Sequence, residues 1–409
     1  MSDLPDGWDY VAVSQVAKLE NGDRSKNYPS KQHRQSSGVP FINAGHLKDG
    51  RVSHDAMDYI SPERFEMLTN GKVRRGDVLF CLRGSLGKAA IVSDIDQGAI
   101  ASSLVIVRPG NAISSQYLYY YLRSPLAKVE IARFDNGTAQ PNLAARDLGK
   151  FPIPLAPANE QERVVAAIEE QFSRLDAGIA ALGRARWGSE MTRKSILDAL
   201  LKDETGEFFP DILLEDILQR GRYGTSTKCS AEGKGFPVLR IPNVQSGRID
   251  LTDLKYAIDT SVDLKGSRVE SGDVLIIRTN GSRSLIGRSA VVPHLNSEMA
   301  FASYLIQLKM DRSAIEPNYL VSALSAPHMR RKIEDLAATS AGQYNISLDK
   351  LRSLRLPLPP LAQQRNALSR ADHLLSAIDH MEQDIMSSQT KAELLRSSIL
   401  STAFSGKLS

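Results

Sequence analysis

Two mixed α/β domains in tandem, each followed by a long helix, are what this sequence predicts: an α+β chain related to itself by a pseudo-two-fold. The first observation is an internal repeat at a spacing of roughly 200 residues. Gly38-Val39-Pro40-Phe41-Ile42 answers to Gly235-Phe236-Pro237-Val238-Leu239, and Gly76-Asp77-Val78-Leu79 to Gly272-Asp273-Val274-Leu275. Gln140-Pro141-Asn142-Leu143 answers to Gln343-Tyr344-Asn345-Ile346. The second is that short apolar runs come before helical periodicity in both halves. The third is a proline cluster ending each half, behind which a long three-four apolar pattern begins. Two similar modules suit a ligand that itself has two halves.

In the first half, runs rich in Val and Ile and bounded by Gly, Ser, Asn or Asp read as strands at 39–43, 77–81, 89–92 and 104–107. Segments 114–122 and 126–133 read as helices. The stretch 22–38 holds Gly, Pro, Ser and Asn and reads as a loop. The second half repeats the order, with strands at 238–241, 273–278, 289–292 and 304–308 and helices near 318–324 and 328–336. Pro152, Pro154 and Pro157 close the first domain. Asn159 with Glu162 three residues on reads as an N-cap and capping-box partner. Ile168, Phe172, Leu175, Ile179 and Leu182 then recur at helical spacing, and Ile196, Leu197 and Leu200 resume it. Behind Pro357, Pro359 and Pro360 come Leu368, Ala371, Leu375, Ile378, Ile385, Ala392 and Ile399, a heptad-like seam. Each helix has room for about 40 residues, or roughly 60 Å. A helix that long with one apolar stripe needs a partner, and the obvious one is the other copy. Gly178, Gly183 and Gly188 interrupt the first, where the second has Met381, Met386 and Lys391. They signal either a weakened helix or the close approach of another backbone. The divisions expected are 1–157, 158–205, 206–360 and 361–409.

The chain's 409 residues are enough for two or three domains with proper cores. Its 42% hydrophobic and 24% charged residues are ordinary for a globular protein. No run approaches 18 apolar residues, and no secretory signal precedes the first domain, so no membrane association is expected. Cys81 and Cys229 stand at non-equivalent places and form neither metal-ligand spacing nor a disulfide framework. A reducing, cytoplasmic setting is expected. A net charge of +4 permits nucleic-acid binding without demanding it.

The motifs that carry chemistry are missing. There is no His-Glu-x-x-His, no Cys-x-x-Cys and no Gly-x-Ser-x-Gly. Gly84-Ser85-Leu86-Gly87-Lys88-Ala89 lacks the spacing of a phosphate loop and the hydroxyl residue after its lysine, so it reads as a turn into a strand. The sequence leans towards binding, with no catalytic residue and no metal site. What recurs is polar and basic loop chemistry. The first half offers Arg24, Lys26, Lys31, Arg34, Asn43, His46, Arg83 and Gln140. The second offers Arg222, Tyr223, Thr225, Ser226, Lys228, Arg240, Asn243, Arg278, Asn280, Ser282, Arg283, Gln343, Tyr344 and Asn345. Arginine pairs with guanine, asparagine or glutamine with adenine, and lysine or serine with phosphate. Similar scaffolds with differing loops suit two readers of two different sequences.

Several phrases together resemble the specificity subunit of type I restriction-modification systems. They are Leu4-Pro5-Asp6-Gly7-Trp8, Pro154-Leu155-Ala156-Pro157-Ala158-Asn159-Glu160-Gln161-Glu162-Arg163, Pro357-Leu358-Pro359-Pro360-Leu361-Ala362-Gln363-Gln364-Arg365 and the ending Ala403-Phe404-Ser405-Gly406-Lys407-Leu408. Arg222 to Cys229 and Gly272 to Ser282 resemble phrases of that family's target recognition domains. Ala362 stands where Asn159 is expected to cap the first helix, so the second would begin without that acceptor. The resemblance implies two target recognition domains, each contacting one half of a bipartite, asymmetric double-stranded DNA target. It implies that the two helices pack as an antiparallel coiled coil, set the half-site spacing and dock two methyltransferase (M) subunits. S-adenosylmethionine, ATP and Mg would then sit on partner subunits, including the restriction (R) subunits, with no cofactor here. Two other readings stand beside it: a single-chain DNA-modifying enzyme with fused recognition domains, and a coiled-coil scaffold without DNA binding. The missing cofactor and nuclease motifs weigh against the first, and the divergent basic loops against the second.

Overall fold

The computed structural model describes residues 4–135, 137, 141–259, 265–340 and 342–408. The chain divides into two units. One holds residues 1–182 and 387–409, the other 183–386. Each therefore contains a globular part and a stretch of each long helix.

The first unit is built on a six-stranded sheet. Its order is Ala17–Asn21, Leu104–Pro109, Val78–Cys81, Ala89–Ile91, Arg51–Val52 and Leu47–Lys48. The middle strands are apolar throughout because both faces are covered. Val78 and Phe80 join Val105 and Val107 in a core with the helix Ser115–Arg123. Leu79 and Cys81 join Ile42, Leu104 and Ile106 on the opposite side. There a second sheet packs, ordered Asp58–Ile60, Val39–Ile42, Gly98–Ile100 and Lys72–Val73. The second unit repeats the order. Leu218–Tyr223, Leu305–Met310, Val274–Ile277, Ser289–Val291 and Gly247–Arg248 form its main sheet. Val274 and Ile276 face one core, Leu275 and Ile277 the other. It adds a small sheet of Thr279–Asn280, Gln343–Asn345 and Ala338–Ser340.

Two further strand pairs close the units. Asp9–Ala12 runs antiparallel to Pro152–Leu155, and Asp211–Leu213 to Arg355–Pro357. Prolines 152 and 154, read in the sequence as a stop, lie inside a strand of a two-stranded sheet, where an edge tolerates them.

The first long helix is Ala158–Ala199, the second Leu361–Phe404. Asn159 is not the cap. Pro157 O accepts from Glu160 N at 2.9 Å and Gln161 N at 3.0 Å, so Asn159 already lies in the first turn. Pro360 O accepts likewise from Gln363 N and Gln364 N at 2.9 and 3.1 Å. The two helices thus begin alike, and Ala362 marks no difference. Each start is tied to its unit by a buried glutamine. Gln161 donates to Ala112 O and Ala156 O and accepts from Ser114 N, at 2.8, 2.9 and 3.0 Å. Gln364 does the same with Ala314 O, Pro359 O and Glu316 N, at 3.0, 2.8 and 2.9 Å.

Within each unit the helix stretches pack antiparallel. In the first, Leu400 and Phe404 share a core with Val164 and Ile168, while Arg396 meets Asp176 and lies 4.9 Å from the Phe172 ring centre. In the second, Ala371 shares a core with Leu200, while Arg193 pairs with Asp379 at 2.6 Å and Glu382 at 3.2 Å. Ala371, Ile378, Ile385 and Ala392 are all buried, at the seven-residue step of a coiled-coil seam. A Cβ on Gly178, Gly183 or Gly188 would meet nothing within 4 Å among the described residues. Those glycines serve no close backbone approach.

Candidate nucleic-acid interface

In the second unit a polar rim forms where the main sheet ends. Leu218–Tyr223 runs out at Gly224, whose Cβ position is 2.2 Å from Phe301 O, so only glycine fits there. Thr225 follows, its Oγ1 accepting from Thr227 N at 3.1 Å, and Ser226 and Lys228 are exposed. Arg278 leaves the strand Val274–Ile277, which lies beyond Leu305–Met310 in the same sheet. Its backbone N donates to Tyr304 O at 3.0 Å, and its O accepts from Ile346 N at 2.9 Å. Its guanidinium lies 4.5 Å from the Tyr223 ring centre, and Nη2 reaches Asn345 Oδ1 at 3.5 Å. The Tyr223 hydroxyl accepts from Leu348 N at 2.9 Å, which fixes the ring. Asn280 pairs with Tyr344 across the small sheet, and Gln343 is exposed beside them. Asn280 Oδ1 accepts from Ser282 N at 2.8 Å, and Ser282 Oγ lies 2.9 Å from Ser284 Oγ. The sequence reading missed Tyr304, which it placed inside a strand. It stands just before Leu305–Met310, is 55% exposed, and its backbone O accepts from Arg278 N.

The first unit builds the same rim from other side chains. Gly22 sits against Ala101 O, 2.8 Å from its Cβ position. Asp23 is buried and accepts from Ser25 N at 2.6 Å and from Thr69 N and Oγ1, both at 2.9 Å. Burial pushes its carboxyl up, but the bonds from Ser25 and Thr69 outweigh it and hold the group well below the usual carboxylate range. Arg24, Lys26 and Lys31 are exposed. Leu82 N donates to Ser103 O and Leu143 N to Leu82 O, so buried Leu82 holds the place of Arg278. Arg83 stands one residue on, its Nε donating to Asn142 Oδ1 at 3.0 Å. Asp135 accepts from the backbone N–H groups of Asn142 and Gly137, which hold its carboxyl below the ordinary range.

Other candidates are engaged elsewhere. His46 is buried; its Nδ1 accepts from Asn43 N, and Asn43 Oδ1 caps the same turn through Gly45 N. Asn243, also buried, accepts from Arg240 N and donates to the carbonyls of Asp250 and Asp253. His46, whose Nε2 lies 3.3 Å from Ala56 O, and Asn243 are thus each engaged in holding a turn. Arg34 pairs with Asp58 at 2.7 Å, Arg240 with Asp253 at 3.1 Å and Arg283 with Asp335 at 3.3 Å. Arg222 Nη1 donates to Gly266 O at 3.0 Å. Gln140 lies outside the described residues, as do Asn136, Thr138, Ala139 and Ala341. The glycine turn at 84–87 is no phosphate cradle, since Lys88 Nζ donates to Ala44 O at 3.1 Å and the chain enters Ala89–Ile91. No helix is long and apolar enough to cross a membrane among the described residues.

Comparison with known proteins agrees with this architecture. The type I restriction modification DNA specificity domain matches residues 5–181 and 212–394. The specificity subunit of the type I restriction enzyme EcoKI from Escherichia coli K12 is 23% identical over 99% of this chain and 90% of its own length. The StySPI specificity subunit of Salmonella potsdam is 24% identical with the same coverage. Among solved structures, a chain from a study of type I R-M complex assembly and conformational transition superposes with a TM-score of 0.78 at 19% identity, over the whole of both chains. The HsdS subunit of Thermoanaerobacter tengcongensis gives 0.55 at 19% identity, over 99% of this chain and 98% of that one. Two recognition units of one fold, two antiparallel helix stretches in each and a double match to one domain lead to a single assignment: this chain belongs to the family of type I restriction-modification DNA specificity subunits.

Proposed function

We propose that this chain is the non-catalytic, DNA-reading subunit of a type I restriction-modification complex, with residues 1–157 and 206–360 each reading one half of a bipartite, asymmetric target. One observation carries the reading. The two units share sheet order and rim geometry, yet the rim side chains differ, with Leu82 against Arg278 and Asp23 against Thr225. A common scaffold with different donors suits two different half-sites. The segments 158–205 and 361–409 set the half-site spacing and dock two M subunits. The chemistry, with S-adenosylmethionine, ATP and Mg, belongs to the M and R partners, and the complex works in the cytoplasm.

Comparing the methylomes of host cells with and without the gene tests this. The expected result is one asymmetric, two-part adenine motif that disappears with the gene. Inserting four residues after Ala180 should then lengthen the spacer and leave both half-sites unchanged. New half-sites with the old spacer would overturn the division of labour. Methylation or cleavage by the purified single chain would overturn the non-catalytic assignment.

A further inference from the structure

An arginine meets the same asparagine in both units, but the arginine is not the same one. Arg83 Nε donates to Asn142 Oδ1 at 3.0 Å, and Arg278 Nη2 reaches Asn345 Oδ1 at 3.5 Å. The asparagines are equivalent, because the next backbone N–H, of Leu143 or Ile346, donates to Leu82 O or Arg278 O. The arginines are not, because Leu82 occupies the position of Arg278 and Arg83 follows it. The asparagine is shared, and the cation comes to it from adjacent positions. Building on the DNA-recognition reading above, we infer that this Arg–Asn pair is the guanine reader of each unit, with Arg83 and Arg278 as the base-contacting residues and Asn142 and Asn345 as positioning residues.

The partner chemistry separates these arginines from three other rim candidates. Arg34, Arg240 and Arg283 face carboxylates, which occupy the fork and cancel its charge. Arg83 and Arg278 are met by a neutral amide oxygen. A guanidinium has five N–H donors, and one bond to an asparagine leaves the rest of the fork and the whole charge. In the second unit the Tyr223 ring fixes the plane as well, and Nε is enclosed without a hydrogen-bond partner among the described residues. A planar fork held in one orientation matches the O6 and N7 acceptors of guanine in the major groove. A phosphate asks for charge more than for a plane, and the exposed Lys26, Lys31 and Lys228 supply that on flexible stems.

The test uses the assembled methyltransferase and duplexes carrying its own methylome-defined target. Each guanine of both half-sites is replaced in turn by 7-deazaguanine, which keeps O6 and removes the N7 acceptor. One guanine should weaken wild-type binding by about tenfold, the scale of one lost hydrogen bond to a charged donor. R278A should lose that sensitivity alone, keep full sensitivity in the other half-site and keep its salt slope. R278K should not restore it, because an ammonium has no fork. R83A should behave in the same way for a guanine of the other half-site. N345A should blunt the 7-deazaguanine effect while leaving the salt slope alone. Retained sensitivity at every guanine in R278A would overturn the inference. So would equal losses on target and scrambled duplexes with a shallower salt slope, which mark a phosphate contact. A half-site without a G·C pair would also overturn it. A wild-type complex that does not prefer its target over scrambled DNA would instead remove the DNA-recognition reading itself.

Discussion

The first unit holds a buried aspartate with an ion pair; the second holds the equivalent aspartate with an amide. Asp77 is met by Arg108, Nε to Oδ1 at 2.7 Å and Nη2 to Oδ2 at 2.8 Å, and Arg108 also reaches Glu20 at 3.3 Å. Asp273 is met by Gln307 Nε2 at 2.5 Å. Strand register places Gln307 level with Ile106, two residues before the position of Arg108 and on the same strand face. Lys309, which does stand at the Arg108 position, turns out to Glu270 at 2.6 Å. The acceptor stays and the donor moves, as it does at the rim with Asn142 and Asn345. A duplicated fold keeps the groups that anchor the backbone, such as Asp77 Oδ2 on Arg74 N and Asp273 Oδ2 on Glu270 N. What approaches them is free to change.

Stability gives the widest test of that contrast. Arg108→Met leaves buried Asp77 without its guanidinium partner, and the expected cost is about 3–5 kcal/mol. Gln307→Leu removes one neutral donor from Asp273, which keeps its bond from Glu270 N, and the expected cost is about 1–3 kcal/mol. Hydrogen exchange should therefore rise more in Leu104–Pro109 of the first variant than in Leu305–Met310 of the second. Equal losses would mean that the ion pair is worth no more than the amide.

Acid gives the next largest separation. Asp23 and Thr225 make the same turn, each accepting from the backbone N–H two residues on, but only one of them titrates. The folded-state carboxyl of Asp23 is held low, so its contribution is fully present above the ordinary carboxylate value and is lost as pH falls through the depressed one. Lowering the pH from about 4 should loosen the 23–28 loop and its tie to Thr69 before it loosens 225–228. Asp23→Asn should remove that pH dependence at a cost of about 1.5–3 kcal/mol at neutral pH, the scale of hydrogen bonds to a charged group. Exchange rates of the Ser25 and Thr69 amides would report it. Parallel loosening of both loops would break the comparison.

Much of the fold was legible in the sequence because it rests on local pattern. The apolar runs at 77–81 and 273–278 became Val78–Cys81 and Val274–Ile277, since strands buried on both faces must be apolar throughout. Ala371, Ile378, Ile385 and Ala392 fell on the buried seam because period alone decides that. The site was less legible because it depends on partners far away in the chain. His46 and Asn243 have the residue types of base contacts, and their environments turn them inward. Arg34, Arg240 and Arg283 were indistinguishable from Arg83 and Arg278 until Asp58, Asp253 and Asp335 came beside them. Proline at 152 and 154 suppressed a strand that only its pairing with Asp9–Ala12 reveals. Asn159 looked like a cap because residue type favours it, whereas the chain begins its helical bonds at Pro157 O.

The smallest expected effect separates the glycines of the first long helix from those of the rim. Gly178, Gly183 and Gly188 lie inside Ala158–Ala199, none at positive φ, and a methyl group on any of them would meet only open space among the described residues. Glycine there costs backbone entropy and returns nothing in packing. Replacing each by alanine should stabilise the helix by about 0.5–1 kcal/mol. At the rim the sign reverses. Gly22→Ala would push a Cβ to 2.8 Å from Ala101 O, and Gly224→Ala to 2.2 Å from Phe301 O, so the backbone must shift. Amide exchange in the wild-type chain should accordingly be faster around 178–188 than around 381–391, where the second helix carries Met381, Met386 and Lys391. The triple alanine variant should bring the two rates together. If exchange stays unequal after all three substitutions, glycine is not what weakens the first helix. If the substitutions destabilise it, those positions touch a backbone after all.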